Sequence, residues 1–446
     1  MIQIQAINKA LRNIGEKRME KIQTFWQTPI KERKIFLLAT HLLMDGHIEK
    51  AKTAYELLPK NFPSMYNLMC YYKEKMPLEY QKIRNEIENL FANELMEKEK
   101  EEKTKRVALF LPHLQKTGGM KMLVKMYNML KKRGYEVSLF IPYAETNITT
   151  SVTLFDQEYT VHTYQNDDEL KEISKTHPIA IAPHWDYIYP LWKNFQHVFY
   201  YSQGDYDIFS NHPRSYQLLK MFFSLPIEIM SVSSFLSDWT EKKYGRRSSV
   251  HPCDINLNLF HPGEKKERPT VIVMGQSSVI QKQINETIDA LMELKSSRDF
   301  DIMWITPNES ETVPYPEVIK ITNPTQEELA MHLRQATVFV SGSLIEAFSL
   351  PPLEAMASGT AVVTADNGGN REYTRHQGNC LVFGSKDWQT MKNQVEYMLD
   401  HPSERTRMIK NGIEEAKKFQ PVDLQEKMIE RIEESVEKNY IIHSPF

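Results

Sequence analysis

Three cysteines are all that 446 residues contain, and Cys70, Cys253 and Cys380 fall at no metal-ligand spacing. So sparse and odd a set excludes a disulfide framework and fits a reducing compartment. Long apolar runs are missing as well. None approaches the roughly twenty residues that a membrane-crossing helix needs, and no apolar N-terminal region resembles a signal peptide. A dominant charge is also missing. The net charge of -3 argues against a nucleic-acid binder held by bulk electrostatics. These absences predict a cytoplasmic protein with no nucleic-acid partner. Peripheral contact with the inner face of the cell membrane stays open.

What is present fits a soluble globular chain: 41% hydrophobic and 25% charged residues are ordinary values for that class. The length exceeds one hydrophobic core, so two or three domains are expected. The charge is uneven. Residues 1–106 carry 20 Lys and Arg against 15 Asp and Glu, leaving 35 against 43 for the rest. The basic front end reads as a solvated helical face or as a contact for an anionic surface.

Residues 1–104 read as helices only. Ile7, Leu11, Ile14, Ile22 and Phe25 form a helical stripe, with Lys9, Arg12, Lys17, Arg18 and Lys21 among them. Such a helix packs on the rest of the protein or lies on a membrane. Residues 37–59 place Leu, Gly, Ala, Tyr and Pro as a tetratricopeptide helix pair would, but a single copy supports only a helical hairpin. The charged run 97–105 closes this region as a helix end or linker.

At Arg106 the texture changes. Val107–Leu111 is a short apolar run typical of a strand buried on both faces. A helix over Met120–Arg133, stopped by Gly134, and a strand at Glu136–Ile141 complete a βαβ unit with glycine in its first turn. Further strands are expected at Ile179–Ala182, Val198–Tyr201 and Ile229–Ser233. A second series runs through strands at Thr270–Met274 and Asp301–Ile305, with helices over Gln283–Leu294 and Gln326–Arg334. Strands at Thr337–Ser341 and Ala361–Thr364 follow. A last amphipathic helix is expected over 421–437. The fold class is α/β: two Rossmann-like, doubly wound domains in tandem, preceded by an all-α N-terminal region. The expected divisions are 1–104, 105–262, 263–420, and a C-terminal helix and tail at 421–446.

The chemistry-bearing residues sit at strand ends. Thr117-Gly118-Gly119 gives the backbone room to approach a ligand, although Gly-Gly also marks ordinary turns. Gly275-Gln276 follows a strand, and Lys282 beyond it supplies a point charge for a pyrophosphate or is a surface lysine. His184 follows Ile179–Ala182, placed to bond a sugar hydroxyl or its own backbone. Gln203 to Asp207 mixes acids and aromatics, as carbohydrate sites and ordinary packing both do. Most informative is Glu346-Ala-Phe-Ser-Leu-Pro-Pro-Leu-Glu354. Ser349 is placed as the N-cap of a helix, Pro351 and Pro352 suit its first turn, and Gly359 ends it. Glu346 then lies on a loop at a strand's carboxyl end and Glu354 near a helix start, where α/β sheets bind ligands.

That segment, with Gly368-Gly369-Asn370-Arg371-Glu372 after it, resembles the donor-site signature of the family 4 retaining glycosyltransferases of the GT-B fold. Asn258-Leu-Phe-His-Pro262 resembles the family's interdomain stretch. Tyr201–Asp207, Ser231–Ser237 and Lys243–Gly245 are similar to a branch that includes rhamnosyltransferases of bacterial surface glycans. The resemblance spans about 105–440. It implies that two domains face a cleft and that a nucleotide-diphosphate sugar is the donor. The acceptor would be a glycan, polymer or protein, with no cofactor and no essential metal. Carried over, Glu354 binds the ribose and Glu346 touches the donor sugar. N–H groups of Phe348, Ser349 and Leu350 meet sugar and phosphate, and Lys282 neutralises the diphosphate. Gly118 and Gly119 let the first domain close, Gly275 and Gln276 line the phosphate turn, and His184 stands near the transferred sugar.

Three positions depart from the family pattern. Ala347 and Ser349 stand where it usually shows glycine, and Gln276 where it shows a phosphate-binding arginine. Two rival readings remain: a nucleotide-sugar epimerase of the same fold, and a non-catalytic glycan-binding or scaffold protein.

Overall fold

The computed structural model describes residues 105–115, 117–142, 149–204, 222–223, 225–313 and 315–437. The expectations for residues 1–104 and for Asp205 to Asp207 lie outside them.

Two sheets form the frame. The first contains β1 (Arg106–Phe110), β2 (Glu136–Pro142), β3 (Thr149–Leu154), β4 (Gln157–Tyr164), β5 (Ile179–Ala182), β6 (His197–Ser202), β7 (Glu228–Ser231) and β8 (Ser249–Val250). Their order is β3-β4-β2-β1-β5-β6-β7-β8, parallel except for the β3–β4 hairpin. The second contains β9 (Thr270–Met274), β10 (Asp301–Thr306), β11 (Val318–Thr322), β12 (Val338–Ser341), β13 (Ala361–Ala365) and β14 (Leu381–Phe383). Its order, β11-β10-β9-β12-β13-β14, is wholly parallel. β5 and β13 are buried along their whole length, as continuous apolar runs between two helical layers must be.

Five helices position the candidate site: α1 (Gly118–Lys132), α2 (Ser234–Tyr244), α3 (Ile284–Lys295), α4 (Leu350–Ala357) and α5 (Pro421–Glu437). The expected elements recur within a few residues of their predicted bounds. Five strands were not expected: β3, β4, β11 and β14, which lie at or next to sheet edges, and the two-residue β8. The β3–β4 turn uses Phe155 and Asp156, both at positive φ. Neither is the glycine or asparagine that normally betrays such a turn.

The chain crosses between the sheets twice. One crossing is the stretch 251–269, and the other leads into α5. They meet where Ile255 N–H donates to the Phe419 carbonyl at 2.8 Å. Arg431 of α5 holds Glu228 of β7 through two bonds at 2.7 and 3.0 Å, so the last helix is fastened to the first sheet. One apolar core runs from β1 and α1 through Cys253, Ile255 and Phe260 to Phe348, Leu353 and Phe419. A second fills the opposite face of the second sheet, around Val271, Trp304 and Val340. Cys253 and Cys380 are free and buried, and burial pushes both thiols up, that of Cys380 to about 12.

Candidate functional site

The carboxyl end of the second sheet brings the predicted acids to one place. β12 ends at Ser341, and the following loop returns along Asn367. There Glu346 N–H donates to the Asn367 carbonyl at 3.0 Å and Gly369 N–H to the Glu346 carbonyl at 3.1 Å. This close approach explains the glycine pair. A Cβ on Gly369 would stand 2.5 Å from Glu346 O and Phe348 N, and one on Gly368 2.6 Å from the Phe235 ring.

Ser349 corrects the capping expectation. It occupies the residue before α4, but with φ 72 and ψ 74, and its side chain makes no capping bond. A left-handed serine costs roughly 1 kcal/mol against glycine's freedom. Its carbonyl accepts a hydrogen bond from Tyr373, whose phenol is pushed well up by burial. Pro351 and Pro352 lie in the first turn of α4, as predicted. Gly359 closes that helix with φ 71. Its N–H donates to Met356 O and that of Thr360 to Ala355 O, the paired bonds of a Schellman end.

Two lysines reach the two glutamates. Lys282 Nζ lies 2.6 Å from Glu346 Oε1, the pair being partly exposed. It projects from the turn that follows β9, where Gly275 has φ 143 and its carbonyl accepts from Trp304 Nε1 at 2.9 Å. Gln276 belongs to the same turn, half-buried. Glu311 braces it by accepting from Ser277 Oγ at 3.0 Å, Ser278 N at 3.1 Å and Thr306 Oγ1. Burial alone would raise the Glu311 carboxyl, but these bonds outweigh it and hold it below the ordinary range.

The second lysine comes from the other sheet. Lys121 of α1 places its Nζ 2.7 Å from Glu354 Oε1, with side chains 16% and 4% exposed. Gly118 and Gly119 open α1 behind a Thr117 cap. A Cβ on Gly118 would stand 3.8 Å from Leu350 Cδ1, so the glycine turn faces the start of α4. Around them Ser233 Oγ donates to Ala347 O at 2.5 Å, and Ser234 N–H to Glu372. Phe348 is buried against Tyr373 and Phe419, with ring centroids at 5.7 and 5.8 Å.

The structure therefore groups Glu346, Lys282, Gly275, Gln276, Phe348, Ser349, Leu350, Glu354, Gly118 and Gly119. His184 follows β5 of the first sheet. Its Nδ1 pairs with Asp186 at 2.8 Å, just beyond β5. Lys121 and Glu311 were not singled out from the sequence, and Ser233 and Glu372 entered only as members of longer motifs. For Lys121 the only available signal was a cation one turn beyond Gly118-Gly119.

Among the described residues, no group of three or more His, Cys, Asp or Glu could hold a metal ion. No helix among them is long and apolar enough to cross a membrane.

Residues 308–415 match the family described as Glycosyl transferases group 1. An MMP alpha-(1->4)-mannosyltransferase of Mycolicibacterium hassiacum is 28% identical over 42% of this chain and 48% of its own length. A D-inositol 3-phosphate glycosyltransferase of Pseudarthrobacter chlorophenolicus is 28% identical over 37% of this chain and 39% of its own. The chain thus spans less than half the length of these relatives. Among solved structures, sucrose-phosphate synthase from Thermosynechococcus elongatus superposes with a TM-score of 0.62 at 16% identity, covering 74% of this chain and 98% of that one. Anabaena Alr3699/HepE in complex with UDP-glucose gives 0.62 at 12% identity, over 74% and 99%. These neighbours share the GT-B fold of two Rossmann-like domains.

Proposed function

We propose, for a chain whose segment 308–415 matches the group 1 glycosyl transferases, that it moves a sugar from a nucleotide-diphosphate donor to a glycan, polymer or protein acceptor. The observation that carries this reading is the pair of carboxylate–lysine contacts at the start of α4, Lys282–Glu346 and Lys121–Glu354. They put two hydroxyl-gripping acids and a cation beside a helix end at which three of the first residues are Leu350, Pro351 and Pro352.

In this reading Glu354 accepts hydrogen bonds from the ribose and Glu346 from the donor sugar. Lys282 then serves two partners: it holds Glu346 in place and offsets charge growing on the departing diphosphate. The main N–H donors are those of Phe348 to Leu350. Stabilising the leaving group this way is the largest contribution such a site can make. Because Gln276 brings no charge, Lys282 carries more of that task. Transfer with retention at the anomeric carbon, a hexose or deoxyhexose donor and a role in bacterial surface glycans extend the proposal. The nearness of His184 to the sugar belongs to it as well.

The test is calorimetry with UDP, GDP and ADP, followed by turnover with the matching sugar nucleotides. Glu354→Gln should weaken nucleoside diphosphate binding about tenfold or more, the usual worth of hydrogen bonds to a charged group. Lys282→Ala should slow transfer roughly a hundredfold. Unchanged binding and turnover in both variants would remove this site from consideration.

A further inference from the structure

We propose that Lys121 is a positioning residue for the donor's ribose, completing the nucleotide site from the opposite domain. The inference rests on the transferase reading above and adds a residue to it.

Lys121 stands in the first turn of α1, 233 positions from its partner Glu354. The pair joins the first sheet's layer to the second's. Its carboxylate is almost fully enclosed and its ammonium nearly so. A second constraint fixes the ammonium: it lies 5.0 Å from the centre of the Phe260 ring, on the crossing between the domains. With one face toward an aromatic ring and one bond to Oε1, Lys121 has a defined place and its partner a defined orientation.

The chemistry of the carboxylate decides what that orientation does. A carboxylate offers two oxygens and about four lone-pair sites. Lys121 occupies one of them on Oε1 and leaves the others, enough for the two vicinal hydroxyls of a ribose. The lysine therefore need not leave when a nucleotide enters. It aims the acid, and it can do so only while α1 lies against α4. Leu350 of α4 lies beside Gly118 of α1, and Ser233, at the start of α2, bonds to Ala347 just ahead of α4, so the first sheet's layer meets α4 at two places. The ribose grip is thus assembled across the cleft, and closure of the domains and recognition of the diol become one event.

The experiment compares UDP, GDP and ADP with their 2′,3′-dideoxy counterparts by calorimetry on the full chain. Wild type should prefer the diol form of its best ligand by about tenfold. Lys121→Met should bind the diol form less tightly and lose most of that preference, while leaving the affinity for the dideoxy form nearly unchanged. Lys121→Arg should restore it. A lysine that merely braced the fold would weaken both forms equally. If Lys121→Met keeps the full diol preference, the positioning role is wrong while the transferase reading stands. If wild type binds none of these ligands, the transferase reading itself fails and this role with it. Should Lys121→Met not fold, Lys121→Gln puts the same question.

Discussion

At the scale of single residues, the local signals were the most legible. The helix start with two prolines, the closing Gly359 and the acids eight positions apart all follow from the segment 346–359 taken alone. What could not be seen was which cations meet those acids. Lys282 is 64 positions from Glu346 and Lys121 is 233 from Glu354, so both pairings are products of the tertiary fold. Ser349 shows the converse limit. Its residue type favours a cap, but it takes a left-handed backbone and its side chain makes no capping bond. His251 makes a prediction at this scale. Burial lowers it to about 4, with Glu228 opposing and Arg431 assisting. A histidine depressed in the folded state stays neutral there while the unfolded chain takes up a proton. Its contribution is complete above about pH 6.5 and is lost as pH falls toward 4, about 3 kcal/mol in all. Urea midpoints should show wild type losing roughly that much more than His251→Gln between pH 7 and pH 4. Equal losses would exclude the assignment.

At the scale of elements, apolar runs announced the strands that are buried on both faces, such as β1, β5, β9 and β13. Strands at the sheet margins were silent. β3 reads Thr-Thr-Ser-Val-Thr-Leu with most residues exposed, and β14 is three residues long. An exposed or very short strand carries little hydrophobic pattern to detect. The loop after β13 is more telling than its length suggests. Its second glycine lies where a Cβ would press on three backbone atoms of 346–348, and backbone cannot swing aside as a side chain can. Gly369→Ala should therefore destabilise the protein by about 3 kcal/mol. It should also displace Glu346, weakening nucleoside diphosphate binding at temperatures where the variant is folded. A melting curve and a binding isotherm on the same preparation check both halves; an unshifted melting point would contradict the packing argument.

At the scale of the whole molecule, two Rossmann-like domains were expected from the alternation of strands and helices, and the two sheets bear that out. The way they are tied together was not readable. Arg431 and Glu228 are 203 positions apart, and neither motif nor periodicity links a C-terminal helix to the seventh strand. Glu228 is largely enclosed, its side chain 9% exposed, so removing the guanidinium leaves a carboxylate short of its main partner. Arg431→Met should cost about 3 kcal/mol, seen as a lower urea midpoint, whereas an exposed surface pair would cost much less. The two crossings have a mechanical consequence. They are pinned to each other at Ile255 and Phe419, so the domains share a two-leaf hinge. Phe419 also meets Phe348 and Tyr373 edge to face, which places the hinge pin in direct gear with the loop between Glu346 and Glu354.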